Sequence, residues 1–319
     1  MKILVITSGN DPHIDLVKRY LPTSEFIVFD PMKLIDTSNV TYRWNKSSFD
    51  IIYNGLKIDD CNVVWFRKPI ILEPEQLPVD TKYRKYVHGA YKRTANAIYA
   101  LMRDKYWVSD PWAIIRANNK LLQQEIAAQF GLKIPDTIVT NSSKDAKDFL
   151  VKHKKVIVKP LGAETVNENG REKAFYATQI SVDDQVDFSG LQLAPSIFQQ
   201  SLTGLLDVRV TVVGNNVYAC EIHKKGHLEN DPDWRKGILS SDLEYRNHSS
   251  FPKTIADSCI SIVKALNLKY GAFDFMLDRE GNYWFLEVNP NGQWGFVELE
   301  AKIPISEGFA ELFTDRKFN

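Results

Sequence analysis

The sequence predicts a mixed architecture, a parallel α/β layer at the N-terminus followed by β-rich α+β segments. Three observations lead there. Short apolar runs alternate with helical spacing from residue 1 to about residue 105. Asp110-Pro111 is a helix start, with Asp as N-cap and Pro at the first helical position. Beyond residue 171 the pattern is that of β-hairpins, interrupted by one long helix.

In chain order, residues 3–7 form an apolar run that stops at Ser8-Gly9-Asn10-Asp11-Pro12, as a first buried strand does. A polar-apolar helix is expected over 14–21, strands over 25–29 and 63–66, and helical spacing over 83–99. No Gly-x-Gly-x-x-Gly follows the first strand, which argues against a dinucleotide site. After Asp110, Leu121, Leu122, Ile126 and Phe130 continue a helical pattern; Gly131 fits its C-cap and Pro135 blocks its extension. A helix over 143–153 and a strand over 156–160 follow. Residues 161–171 are polar and are expected to form a mobile loop. A strand over 197–200 precedes a hairpin of 207–213 with 217–222, then a polar irregular stretch over 225–250. A helix over 252–266 and a hairpin of 272–278 with 283–289 complete the reading, without repeats or low-complexity segments.

Length and charge bound the function. A chain of 319 residues with 44% hydrophobic content has enough core for two or three domains. Lys plus Arg and Asp plus Glu balance at 40 each, so composition points to neither a nucleic-acid nor a membrane partner. Cys61, Cys220 and Cys259 are too scattered for a disulfide framework or a zinc ribbon, which fits a reducing, cytoplasmic compartment. No apolar run approaches the roughly 18 residues that span a bilayer.

The last hairpin carries the sharpest signal. Side chains alternate between faces along a strand. With residues 279–282 as the loop, Asp278 pairs with Tyr283 and Asp274 lies opposite Glu287, which shares a face with Asn289. Directly opposed Cβ atoms lie ~5 Å apart, so the two carboxylates repel unless a cation sits between them. An oxygen-rich, partly open site of this kind suits magnesium. A solvated polar hairpin face fits the same residues. Lys159 ends an apolar strand and Lys120 stands in the first turn of a helix, two positions from which an ammonium can meet phosphate. Either is equally an ordinary surface charge. On 207–213 Asp207, Arg209 and Thr211 share one face; Arg209 suits a phosphate or carboxylate and Asp207 suits ribose hydroxyls, with a cross-strand ion pair as the alternative. His223 and His227 are spaced for a metal only on a helix, and Gly226 between them argues against one.

The order of these features resembles that of ATP-grasp ligases, and nearly end to end the chain resembles the ligases that mature microviridin-type peptides, the graspetides. The segments that carry the resemblance are Asp11-Pro12-His13-Ile14-Asp15, Trp65-Phe66-Arg67-Lys68-Pro69 and Ala117-Asn118-Asn119-Lys120 with Gly131 to Thr137. Asp233-Trp234-Arg235-Lys236 and Glu287-Val288-Asn289-Pro290-Asn291-Gly292-Gln293-Trp294 complete them. Arg67-Lys68 replaces the family's Arg-Arg, Gln200 stands where an acid is common, and the stretch 161–171 is poor in glycine.

The resemblance implies an N-terminal pre-ATP-grasp α/β domain (1–105), then a two-subdomain ATP-grasp fold (106–190 and 191–319) that clamps ATP. It implies Lys120 and Lys159 as phosphate lysines, Gln199, Gln200, Ser201 and Leu202 as the hinge at adenine, and Asp207 at ribose. Arg209 would stand near the transferred phosphate and act with Lys159 in catalysis, while Asp274, Glu287 and Asn289 would hold Mg2+; Arg67 and Arg235 are candidate substrate contacts. The implied activity turns an Asp or Glu side chain of a ribosomally made precursor, with leader and core segments, into an acyl phosphate. A Thr or Ser hydroxyl or a Lys amine then captures it as ester or amide. A homodimer is expected, with leader docking on 225–250 or the adjacent sheet. Two rivals stand beside this reading. One is a ligase that adds amino acids to a peptide or protein terminus, like the ribosomal-protein glutamate ligases. The other is a non-catalytic nucleotide- or peptide-binding module.

Overall fold

The computed structural model describes residues 1–46, 48–162, 165–168, 171–229, 231–238 and 241–318. The chain begins with β1 (Lys2–Ile6), α1 (Pro12–Lys18) and β2 (Glu25–Phe29), followed by three short strands, β3 (Val40–Trp44), β4 (Phe49–Tyr53) and β5 (Leu56–Lys57). Next come β6 (Val63–Phe66), α2 (Arg84–Leu101) and β7 (Tyr106–Val108). Strands β2-β1-β6-β7 form a parallel sheet. Ile3, Leu4, Val5 and Ile6 are all fully buried, the unbroken apolar run that a parallel strand covered on both faces requires. This sheet extends three residues past the expected boundary at 105. Strands β3 to β5 form a separate antiparallel sheet that sequence patterning did not reveal. Its tightest turn uses Asn54 (φ 49°) and Gly55 (φ 80°), the two positive-φ residues that suit a two-residue hairpin.

The middle of the chain holds α3 (Pro111–Ala117), α4 (Lys120–Gln129), β8 (Thr137–Thr140), α5 (Ser143–His153) and β9 (Lys155–Lys159). As expected, the Asp110 carboxylate caps α3; the Asn119 side chain caps α4 by accepting from Leu121 and Leu122 N–H. Then come β10 (Thr165–Glu168), β11 (Arg171–Ala174), β12 (Thr178–Ser181) and β13 (Ser196–Gln200). The second sheet has the order β12-β9-β13-β8, so β13 joins it although it lies past residue 190. The stretch 161–171, expected to be a loop, holds β10 and the first residue of β11, which pair antiparallel; Ala163, Glu164, Asn169 and Gly170 lie outside the described residues.

The last third comprises β14 (Leu206–Val213), β15 (Asn216–Lys224), β16 (Leu243–Asn247), α6 (Lys253–Ala265), β17 (Tyr270–Leu277), β18 (Tyr283–Asn289), α7 (Gly295–Ala301) and α8 (Ile305–Asp315). The sheet β16-β15-β14-β17-β18 is antiparallel throughout. Val208, Val210, Val212, Phe273 and Phe275 share a core with Cys259, Ile262 and Val263 of α6, and the other face carries Asp207, Arg209 and Asp274. Helices α7 and α8 are absent from the sequence reading; α8 places the ring centroids of Phe309 and Phe313 5.3 Å from that of Trp65 on β6. The same core cluster therefore contains residues from β1, β6, β14, β17 and α8.

Candidate active site

The β17–β18 hairpin reaches the expected pairing by a different route. Leu277, not Asp278, pairs with Tyr283, so the connection runs over residues 278–282. The register then shifts between Asp274 and Phe275, where Leu286 is the extra residue of a β-bulge, and Asp274 again faces Glu287. Two differences of one residue cancel. The bulge also departs from strict alternation, for Leu286 and Glu287 both line the same cavity.

Asp274 and Glu287 are buried at 7% and 8% exposure, and cations surround them. Arg209 Nη1 donates to Asp274 at 2.9 Å, Arg235 Nη1 to Glu287 at 2.9 Å, and Lys120 Nζ lies 3.5 Å from Glu287. Burial raises the Asp274 pKa against the pull of Arg209. Burial would also raise Glu287, but Arg235, Lys120 and Lys159 outweigh it and hold that carboxyl below the usual carboxylate range. The two carboxylates thus differ in proton affinity although they share a site. The Asn289 amide nitrogen lies 3.2 Å from Asp274 and 3.4 Å from Glu287. Turning that carboxamide over presents its oxygen, which completes a hard-oxygen donor set that fits a divalent cation. Among the described residues no group of three or more His, Cys, Asp or Glu is arranged to hold a metal, so the candidate site rests on two carboxylates and one amide. His223 is bound to Glu221 at 2.8 Å while His227 lies 3.3 Å from Asp242, so the two histidines have separate partners.

Beside the carboxylates a cleft opens between the second and third sheets. Lys159 Nζ donates to the Gln199 side chain at 3.1 Å, and the same Gln199 donates to Thr137 at 2.9 Å. Burial brings the Lys159 pKa down to about 8, with Glu287 opposing and Lys120 reinforcing the shift. Ile157, Leu202, Met276 and Leu286 give the cavity an apolar part, with Gln199, Gln200 and Asp207 at its walls. Ser201 does not line it; its hydroxyl donates to Gln179 at 2.7 Å. Asp207 is 4% exposed and pairs with Lys224 at 2.8 Å; burial raises its pKa to about 6 against that lysine. Sequence reasoning missed Lys224 because the strand was ended at 222. Carried two residues further, alternation places Lys224 on the face of Ile222, which pairs with Asp207.

Two adjoining regions extend the site. One, of about 410 Å³, is lined by Lys120, Lys159, Tyr176, Arg235, Glu287 and Asn289. The other gathers Lys68, Arg209 and Arg235 with Asn289, Trp234 and Phe296. Arg235, an expected substrate contact, thus lines both and is fixed from below by Asp233, which accepts from its Nε at 2.7 Å. Arg67, the other expected substrate contact, is 1% exposed, and its Nε donates to Asp11 at 3.0 Å. Asp11 also bonds His13 at 2.6 Å, and His13 Nε2 accepts from Gly295 N–H at 3.1 Å, so this cluster joins the N-terminal layer to α7. Lys68, one residue on, is the side chain that faces the cavity.

Comparison with known proteins places this geometry. A family model described as the RimK-like ATP-grasp domain matches residues 117–312. The chain is similar to a RiPP-associated ATP-grasp ligase from Chryseobacterium gregarium, solved in complex with ADP and a leader and core peptide. Identity is 27%, coverage is 99% of this chain and 97% of that one, and the TM-score is 0.90. It is similar in fold to the macrocyclase MdnC bound with precursor peptide MdnA from Microcystis aeruginosa MRC, at 22% identity, with 99% and 100% of the two chains covered and a TM-score of 0.84. It is also similar in fold to the ATP-grasp ligase PsnB complexed with a minimal precursor, Mg and ADP, at 21% identity, 98% and 96% coverage and a TM-score of 0.75. No curated protein matches.

Proposed function

The chain belongs to the RimK-like ATP-grasp family, and from that membership we propose that it is an ATP-dependent ligase that closes rings in a ribosomally made precursor peptide. The observation that carries this reading is the opposed Asp274 and Glu287, ringed by Lys120, Arg209 and Arg235 beside a cleft with an apolar slot. The likeness to a peptide-bound RiPP-associated ligase over almost the whole chain supports it.

In the proposed mechanism the adenine of ATP lies between Ile157 and the Met276–Leu286 side of the cleft, with the backbone of 199–202 along its edge. Asp207 receives the ribose hydroxyls, and Lys120 and Lys159 hold the phosphates. Asp274, Glu287 and the Asn289 oxygen would hold Mg2+, which when bound supplies charge neutralisation at the phosphates. Arg209 and Arg235, at the border with the cavity of Lys68, orient the substrate carboxylate for attack on the γ-phosphorus, which breaks its bond to the β,γ-bridging oxygen and releases ADP. Forming a carboxylate–phosphate bond brings anions together, so positioning and cationic neutralisation account for most of the rate. The acyl phosphate then meets a Thr or Ser hydroxyl, giving an ester, or a Lys amine, giving an amide; phosphate leaves in either case.

The division into 1–105, 106–190 and 191–319, a homodimer and a cytoplasmic setting belong to the same proposal. No helix among the described residues is long and apolar enough to cross a membrane. Leader docking on 225–250 or the adjacent sheet is proposed too; Asn230, Leu239 and Ser240 of that stretch lie outside the described residues. The test is mass spectrometry of a precursor peptide encoded beside this chain, incubated with protein, ATP and magnesium. Loss of whole waters, dependent on ATP, is the expected result, and mild base distinguishes esters from amides. Mass gains equal to amino-acid residues would replace cyclisation with terminal extension.

A further inference from the structure

Strand β18 is the edge of its sheet, so some of its backbone groups need partners outside the sheet. Phe285 N–H finds one in the Lys133 carbonyl at 2.7 Å. At Val288 the partner is a side chain. Gln123 of α4 donates from Nε2 to the Val288 carbonyl at 2.8 Å and accepts the Val288 N–H on Oε1 at 3.0 Å. The carboxamide pairs with Val288 as the peptide of a neighbouring strand would. Its Nε2 also donates to Ala117 O, at the end of α3, at 2.7 Å. Gln123 is 3% exposed.

Its place in the chain gives this contact its meaning. Val288 lies between Glu287 and Asn289. Ala117 and Gln123 flank the break between α3 and α4, where Lys120 begins its helix and reaches to within 3.5 Å of Glu287. We infer that Gln123 is a positioning residue that fixes the phosphate lysine and the metal-binding strand at one spacing. Three interactions through a single carboxamide leave the strand little freedom to slide along α4. Without them Glu287 and Asn289 keep their identities but lose their common reference to Lys120. This inference rests on the reading of Glu287 and Asn289 as metal ligands.

The experiment is titration of ADP by calorimetry with and without magnesium chloride, on the parent chain, Gln123→Met, Gln123→Glu and Glu287→Ala. Methionine keeps the volume of glutamine and removes all three hydrogen bonds. Glutamate keeps the acceptor for Val288 N–H and, when ionised, loses both donors. The expected result is that magnesium tightens ADP binding to the parent, that Gln123→Met loses this enhancement by about 10-fold or more, and that Gln123→Glu falls between. ADP affinity without magnesium is expected to stay within about twofold, a pattern that general loss of structure would not give. Thermal unfolding followed on the same samples confirms a folded chain. If both Gln123 variants keep the parent's enhancement while Glu287→Ala abolishes it, the positioning role is wrong and the metal reading stands. If Glu287→Ala keeps the enhancement, the metal reading fails and takes this inference with it.

Discussion

Replacing Lys224 with methionine removes the partner of a carboxylate that has almost no water to turn to. Asp207 and Lys224 side chains are 5% and 4% exposed and lie 2.8 Å apart. Even with the lysine present, burial raises the Asp207 pKa to about 6 from 3.8. Without it the carboxyl rises further and stays protonated at neutral pH. The sign follows from proton counting. In the parent, the folded state holds one proton more than the unfolded state between about pH 4 and 6, so stability falls over that window and then levels. In the variant the fall continues above pH 6. The difference between the two therefore grows by about 1.4 kcal/mol per pH unit above 6, from about 1 kcal/mol for the lost hydrogen bonding to about 3–4 kcal/mol near pH 8. That upper value agrees with the ~3–5 kcal/mol cost of breaking a buried ion pair. The assay is urea unfolding of both chains at pH 5.5 and pH 8, followed by fluorescence. Equal destabilisation at the two pH values would refute the reasoning, because it would mean that Asp207 does not change its protonation when its partner is lost.

Three further outcomes are expected. Glu287→Ala should lower peptide-dependent ADP formation by about 10²–10³-fold, measured by coupled assay; near-normal turnover would overturn the metal assignment. Arg235→Gln removes a cation that pairs with Glu287 at 2.9 Å and lowers its pKa, so peptide-dependent ADP formation should fall by about 10-fold or more while the chain stays folded, and near-parent turnover would contradict the pairing. Lys159 carries its charge below about pH 8, so ADP affinity should weaken as pH rises through that value, and Lys159→Arg should flatten the dependence. The stability effect of Lys159 has the opposite sense: between about 8 and 10.5 the unfolded chain binds the extra proton, and stability rises with pH.

The elements best read from the sequence are those whose pattern is local. The cap at Asp110 and the apolar run of β1 depend on neighbours a few residues away. Asp274 opposite Glu287 was legible for a weaker reason, since a longer turn and a bulge compensated each other. Leu286 shows the limit: alternation gives it to the core, and only the bulge turns it to the cavity. Arg67 and Lys68 show another, because adjacent side chains of one motif part company when one is tied to Asp11 and the other meets a cavity. Gln123 sits in a helix of ordinary composition, and nothing near it in sequence announces Val288. Helices α7 and α8 lie beyond the last hairpin, where the spacing of Phe309, Leu312 and Phe313 is the local signal for α8.

The meeting of Trp65 with Phe309 and Phe313, and of His13 with a backbone N–H 282 residues later, bears on how the chain is made. The first sheet can pair its strands early in synthesis, but the aromatic cover over Trp65 comes from α8, far later in the chain. Until then the nascent chain carries an apolar surface with no native partner. Closure over so long a separation is slow and leaves such a surface open to wrong encounters. Completion of the N-terminal layer is therefore a late event, set by the synthesis of α8 rather than by that of the first strands.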